Sequence, residues 1–186
     1  DEFAAGQRGR KRQVIIALET ELLGRVELVF ANSKLTYETK RALNPNTHHL
    51  PSGADVSHFG RAANTTDPLP APVANLPRPV LAYSGNIDDR IDLPLLTQLA
   101  RARPDWTLLL IGQVQPQAAN LQPLRALKNV VWLGRRPFEA LPDLLRVADL
   151  CLLPYVQNEV TRYRSPLKLY EYLATGKPVV STPHPE

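Results

Sequence analysis

Trp106-Thr107-Leu108-Leu109-Leu110-Ile111-Gly112 is the stretch on which the fold class turns. Leu108 to Ile111 is apolar without the alternation of a half-exposed strand, and a glycine ends it. A short run of this kind reads as a strand covered on both faces. Similar runs lie to either side: Val80 to Tyr83, Val130 to Leu133, Leu150 to Leu153, and Val179-Val180. Helical patterns separate them over Leu93 to Ala102, more weakly around Leu121 to Leu127, over Pro137 to Val147, and over Pro166 to Ala174. Strands and helices in strict alternation predict an α/β fold, a Rossmann-like parallel sheet with helices on both faces.

Towards the amino end the alternation continues in shorter form. Gln13 to Leu23 has helical spacing, Val26 to Ala31 is of strand length, and Asn32-Ser33 can cap a helix from Lys34 to about Leu43. Thr47 to Leu50 reads as another short strand, broken by Pro51-Ser52-Gly53. From Gly60 to Pro79 the composition shifts, with prolines at 68, 70, 72, 77 and 79. Proline removes backbone donors and favours extended chain, so 60–79 reads as a linker or a surface-hugging segment and as the domain boundary.

Composition narrows the function classes. The 186 residues are 44% hydrophobic and 22% charged, which excludes a wholly disordered chain. No run approaches the ~18 apolar residues of a membrane helix. The net charge is +4, and the basic cluster Arg8, Arg10, Lys11 and Arg12 is not continued elsewhere, which disfavours nucleic-acid binding. The single cysteine, Cys151, cannot form an internal disulfide and reads as a buried, inert thiol. His48 and His49 are adjacent in a strand, so they point to opposite faces and read as surface histidines rather than a metal pair. The chain lacks methionine and its end reads as a strand entering a loop, both expected of a fragment.

In open parallel sheets ligands bind at the carboxyl ends of the strands. That rule selects Ser84 to Arg90, Gly112 to Val114, Gly134 to Pro137, and the long loop from Pro154 to Ser165. Glycine lets a ligand approach the backbone and arginine can clamp a phosphate, which makes Gly85, Arg90, Gly112 and Arg135 candidates. In the last loop Ser165 is a natural N-cap, Pro166 suits the first helical turn, and Gly176 suits the helix end. Lys168 and Glu171 stand three residues apart on nearly one face, where a phosphate near Ser165 and Lys168 and ribose hydroxyls near Glu171 would fit. A capped surface helix carrying an ordinary Lys–Glu pair fits the same spacing.

Ser165-Pro166-Leu167-Lys168-Leu169-Tyr170-Glu171-Tyr172-Leu173-Ala174-Thr175-Gly176-Lys177-Pro178-Val179-Val180 resembles the nucleotide-sugar signature of family 4-like glycosyltransferases with the two-domain GT-B fold. Leu28 to Ser33 resembles the last strand of their N-terminal domain. Pro51-Ser52-Gly53-Ala54-Asp55 with Phe59 resembles their linker motif, and Val147 to Pro154 the strand before the donor loop. The resemblance spans roughly Leu22 to Glu186.

It implies a retaining transferase fragment: residues 1–59 as the tail of an acceptor domain with the linker motif, 60–79 as linker, and 80–186 as the donor domain. By the family pattern Glu171 meets the ribose, Lys168 and Arg90 neutralise the diphosphate, and backbone from Arg135 to Phe138 lies along the base. Cations and helix N–H groups aimed at a departing diphosphate lower the barrier without a metal, so no cofactor is implied. The implied partners are a nucleoside diphosphate sugar, a saccharide or lipid-linked acceptor, and a missing N-terminal domain, with the full enzyme cytoplasmic at the inner membrane face. Surface polysaccharide synthesis is the implied pathway. Two departures stand out: Tyr163 occupies the position where many relatives carry a first glutamate, and Asn86 stands where arginine is common. No catalytic residue is assigned, and Asp1 and Glu2 are weak candidates for the cleft border. The competing reading is a non-catalytic nucleotide-binding module of the same fold.

Overall fold

Chain segments rich in branched and large apolar residues become the interior strands. In the computed structural model, which describes residues 3–116, 118 and 120–185, five parallel strands form one sheet. They are β3 (Val80–Ser84), β4 (Thr107–Ile111), β5 (Val130–Gly134), β6 (Leu150–Leu153) and β7 (Val179–Ser181), in the spatial order β5-β4-β3-β6-β7. β3 and β4 are buried along their whole length. Their side chains alternate between two apolar cores. Val80, Ala82, Leu109, Ile111, Cys151 and Leu153 face one core, which Phe59, Leu145 and Tyr172 complete. Leu81, Tyr83, Leu108, Leu110 and Leu152 face the other, with Ile91, Leu96 and Leu124. Two covered faces explain why the strands show no polar alternation. The α/β class with a Rossmann-like parallel sheet is the architecture observed.

The sheet belongs to the larger of two compact units, Gly53–Val156 with Leu167–Thr182. Its helices are α3 (Val56–Asn64), α4 (Leu93–Ala102), α5 (Gln122–Arg125), α6 (Leu141–Leu145) and α8 (Leu167–Ala174). The proline-rich stretch 60–79 lies within this unit. Val73 is fully buried and Leu69 and Leu76 pack on the first core, so the segment hugs the surface. Helix α3 intrudes on its start, capped by Asp55, whose side chain accepts the His58 N–H at 2.9 Å. That bond, with Ser57, holds the Asp55 carboxyl below its ordinary pKa.

The expected helix from Pro137 to Val147 is broken into a 3₁₀ turn, Phe138–Ala140, followed by α6. Pro142 has no N–H to give the Phe138 carbonyl four residues back. His58 Nε2 bonds that carbonyl at 3.0 Å, and its ring stacks on Phe138 with centroids 4.3 Å apart. Burial pushes the Cys151 thiol up to about 12, in keeping with an inert core residue.

The smaller unit joins Asp1–Ser52, Gln157–Pro166 and Pro183–Glu186. It holds α1 (Gly9–Arg25), α2 (Lys34–Arg41), α7 (Glu159–Arg162) and a parallel pair, β1 (Val29–Ala31) with β2 (Thr47–His49). Ser33 caps α2 by accepting the Thr36 N–H. Of the apolar residues of α1 only Leu23 is buried, while Val14, Ile16, Leu18 and Leu22 are exposed. His48 contacts Phe30 and His49 contacts Tyr37, the separate partners expected of adjacent strand residues. Among the described residues no helix is long and apolar enough to cross a membrane.

One prediction follows from the carboxyl edge of the sheet. A Cβ at Gly112, where φ is +154°, would stand 1.8 Å from the Gly85 carbonyl oxygen. Gly112→Ala should therefore destabilise the larger unit by more than about 2 kcal/mol, read as a lowered midpoint in urea denaturation.

Candidate functional site

The site is assembled from strand ends. Gly85, Gly112 and Gly134 follow or close β3, β4 and β5, and all three have positive φ. The Gly85 N–H bonds the Ile111 carbonyl at 2.8 Å and the Gly112 N–H bonds the Gly134 carbonyl at 2.9 Å. The ladder thus runs past the strands and holds three loop starts side by side. Above them opens a cleft of about 360 Å³ lined by backbone-rich floor residues and by Asn86, Gln113, Gln115, Arg135, Arg136 and Lys168.

Lys168 reaches this cleft from α8. Its Nζ donates to Glu171 Oε2 at 2.6 Å, with the carboxylate side chain only 5% exposed. The spacing of three puts both groups on one helix face, as the sequence reading requires. What fixes that face is Tyr172. Its buried hydroxyl accepts the Ser84 N–H at 2.7 Å and lies 3.2 Å from the Ser84 carbonyl, as donor. Burial raises the Tyr172 pKa, so the phenol keeps its proton and both bonds. The lysine stem then lies beside Gly85, 3.6 Å from the place a Cβ there would take.

Of the eight residues singled out from sequence, Gly85, Gly112, Arg135 and Lys168 line the cleft, and Glu171 is bonded to one of them. Arg90 belongs to the same unit but is not part of the lining: its guanidinium pairs with Asp88, whose Oδ1 also accepts the Arg90 N–H at 3.0 Å. The hydrogen bonds that its guanidinium donates to Asp88 raise the Arg90 pKa further. Tyr163 and Ser165 belong to the smaller unit. The Tyr163 carbonyl accepts the Ser33 hydroxyl at 2.7 Å, and Ser165 is buried. Glu159, close in sequence to the expected first glutamate, is held by Arg12 at 2.7 Å, which lowers its pKa. Asp1 and Glu2 lie outside the described residues. Sequence reasoning singled out neither Tyr172 nor Gln115, and it named Gln113 and Arg136 only as members of the selected loops. A tyrosine on the otherwise apolar face of α8 is the one signal that pointed to the first of these. Among the described residues no group of three or more His, Cys, Asp or Glu could hold a metal ion.

Residues 78–186 match the family model for glycosyl transferases group 1, more than half of the chain. The chain belongs to that family. It is 30% identical over 180 residues to a Bacillus subtilis protein named for teichuronic acid biosynthesis, the glycosyltransferase TuaH, covering 92% of this chain and 44% of that protein. It is 25% identical to an Escherichia coli protein named for colanic acid biosynthesis, the glycosyl transferase WcaI, covering 95% of this chain and 46% of that one. The chain therefore spans about half the length of these glycosyltransferases. Among solved structures, Anabaena HepE in complex with UDP and glucose superposes with a TM-score of 0.65 at 19% identity, over 91% of this chain and 48% of that one. WaaG, a glycosyltransferase involved in lipopolysaccharide biosynthesis, reaches 0.60 at 16% identity, over 93% and 49%. The fold is that of the C-terminal part of the group 1 enzymes.

Tyr172→Phe would leave the buried Ser84 N–H without its acceptor. An unsatisfied buried donor costs about 1–3 kcal/mol, so the variant should show that loss in urea denaturation while keeping its far-ultraviolet circular dichroism.

Proposed function

We propose that this chain is the donor-binding part of a retaining glycosyltransferase of cell-surface polysaccharide synthesis, and that the cleft at the carboxyl edge of the sheet takes the nucleoside diphosphate of a nucleotide sugar. The observation that carries the reading is the Lys168–Glu171 pair, held by Tyr172 beside a floor of glycine backbone. A carboxylate fixed in this way accepts the two hydroxyls of a ribose, and glycines at 85 and 112 let the rest of the nucleotide lie against the main chain. The named roles of the Bacillus and Escherichia relatives support the pathway, and the UDP in HepE supports the ligand class.

In this reading the reaction breaks the bond between the donor sugar and the diphosphate, and an acceptor hydroxyl takes the sugar. Charge collects on the leaving diphosphate, so donors aimed there favour the transition state. Residues 1–59 are assigned to the end of an acceptor half, and Tyr163 and Ser165 to the donor loop, on the family resemblance. The acceptor is a saccharide or a lipid-linked saccharide, met by the full-length enzyme at the cytoplasmic membrane face.

Calorimetric titration of the chain with UDP, GDP, ADP and CDP tests the proposal. At least one should bind, and Glu171→Ala should weaken that binding by about tenfold or more with the fold intact. Absence of binding by all four to folded protein, or an unchanged affinity in Glu171→Ala, would overturn it.

A further inference from the structure

The segment after β4 stays extended beyond the strand. Ile87 and Val114 form a parallel bridge, in which the Ile87 N–H bonds the Gln113 carbonyl at 2.9 Å and the Gln115 N–H bonds the Ile87 carbonyl at 2.9 Å. Side chains along an extended segment alternate. Val114 packs on the second core, with Leu108 and Leu110. Gln113 and Gln115 therefore point the other way, and both line the cleft. Their backbones are fixed by the bridge, while their side-chain amides make no hydrogen bond among the described residues. Two such amides, open toward one cleft, are suited to reading the edge of a ligand, since each holds an acceptor and donors in one plane.

The strand order sets which part of the ligand they meet. Lys168, with its partner Glu171, approaches the cleft beside Gly85 at the end of β3. Arg135 and Arg136 stand at the end of β5, and β4 lies between. Neighbouring strands are about 4.8 Å apart, so the cleft extends about 10 Å from the α8 side to the β5 side. A ribose held at Glu171 leaves the ends of β4 and β5 to its base, and Gln113 and Gln115 face that base.

The lining decides which base is matched. It holds no Asp or Glu, and Arg135, Arg136 and Lys168 can only donate. The acceptors among the lining side chains are the amide oxygens of Asn86, Gln113 and Gln115. Adenine, guanine and cytosine each carry an exocyclic amine that must find an acceptor. Uracil carries none, and its edge is one N–H between two carbonyls. A glutamine amide matches that edge by accepting from the N–H and donating to a carbonyl.

We propose that the nucleotide taken by this chain is uridine diphosphate, and that Gln113 and Gln115 are the specificity-determining residues that read its base. This rests on the nucleotide reading above and deepens it.

Calorimetric titration of the unmodified chain should give UDP an affinity at least about tenfold above those of CDP, ADP and GDP. CDP is the sharpest comparison, because it shares the ribose, the diphosphate and the ring size and differs only at the edge. Gln113→Leu and Gln115→Leu should each lower the ratio of UDP to CDP affinity by about threefold or more, with the far-ultraviolet circular dichroism unchanged. The near-isosteric Gln113→Glu and Gln115→Glu, which exchange the amide donors for a second acceptor, should move the ratio the same way. Glu171→Ala should lower both affinities and keep the ratio, because the ribose is common to the two. Tightest binding of CDP, ADP or GDP, or a smaller margin for UDP, would overturn the inference and leave the nucleotide reading in place. So would a ratio that stays unchanged in both variants of either glutamine. Failure of the unmodified chain to bind any of the four would overturn both.

Discussion

No side chain fits between the ends of β3 and β4. The carbonyl oxygen of Gly85 occupies the space where any residue but glycine at 112 would place its Cβ, and a Cβ at Gly85 would press to 2.8 Å on the Tyr83 hydroxyl. This steric demand is a consequence of continuing the parallel ladder past the strands, through the bonds from Gly85 to Ile111 and from Gly112 to Gly134. Because the loops begin so close together, the surface they leave is concave and made of main chain. Everything else at the site is arranged about that floor. Tyr172 bonds the residue just before Gly85, so α8 is referenced to the same point from which the cleft is built.

Around the floor, charge is arranged in closed pairs and open groups. Arg90 with Asp88 and Lys168 with Glu171 are partly or largely buried, where losing one partner costs far more than the pair gains in net stability. Such pairs act as fixtures of geometry. Arg12 with Glu159 in the smaller unit is different, since both side chains are well exposed and solvent screens them. Arg135 and Arg136, exposed at the end of β5, are open groups with no such partner among the described residues.

The sheet was legible because strands covered on both faces must be apolar throughout, and Leu108 to Ile111 or Leu150 to Leu153 have no other reading at that length. Helix α3 was hidden since its cap, Asp55, sits inside a motif read as linker, and its face is completed by Phe138 and by helices α6 and α8, all distant in sequence. The interruption between Phe138 and α6 follows from Pro142, which lacks the N–H for the Phe138 carbonyl; that oxygen accepts the Leu141 N–H instead and is also bonded by His58, distant in sequence. Of the site, glycines and the Lys168–Glu171 spacing were visible as local signals. The engagement of Arg90 by Asp88, two residues away, follows from a turn geometry that composition does not encode. Tyr172 looked like one more core residue because its hydroxyl meets the backbone of a strand 88 positions earlier.

Seen together, these features divide the cleft by hydrogen-bonding character. On the α8 side stands Lys168, whose ammonium is held by the buried Glu171 carboxylate. On the β5 side stand only donors in guanidinium form, and Gln113, Gln115 and Asn86 between them offer both kinds. The glycine floor sets how near to the main chain a ligand can lie.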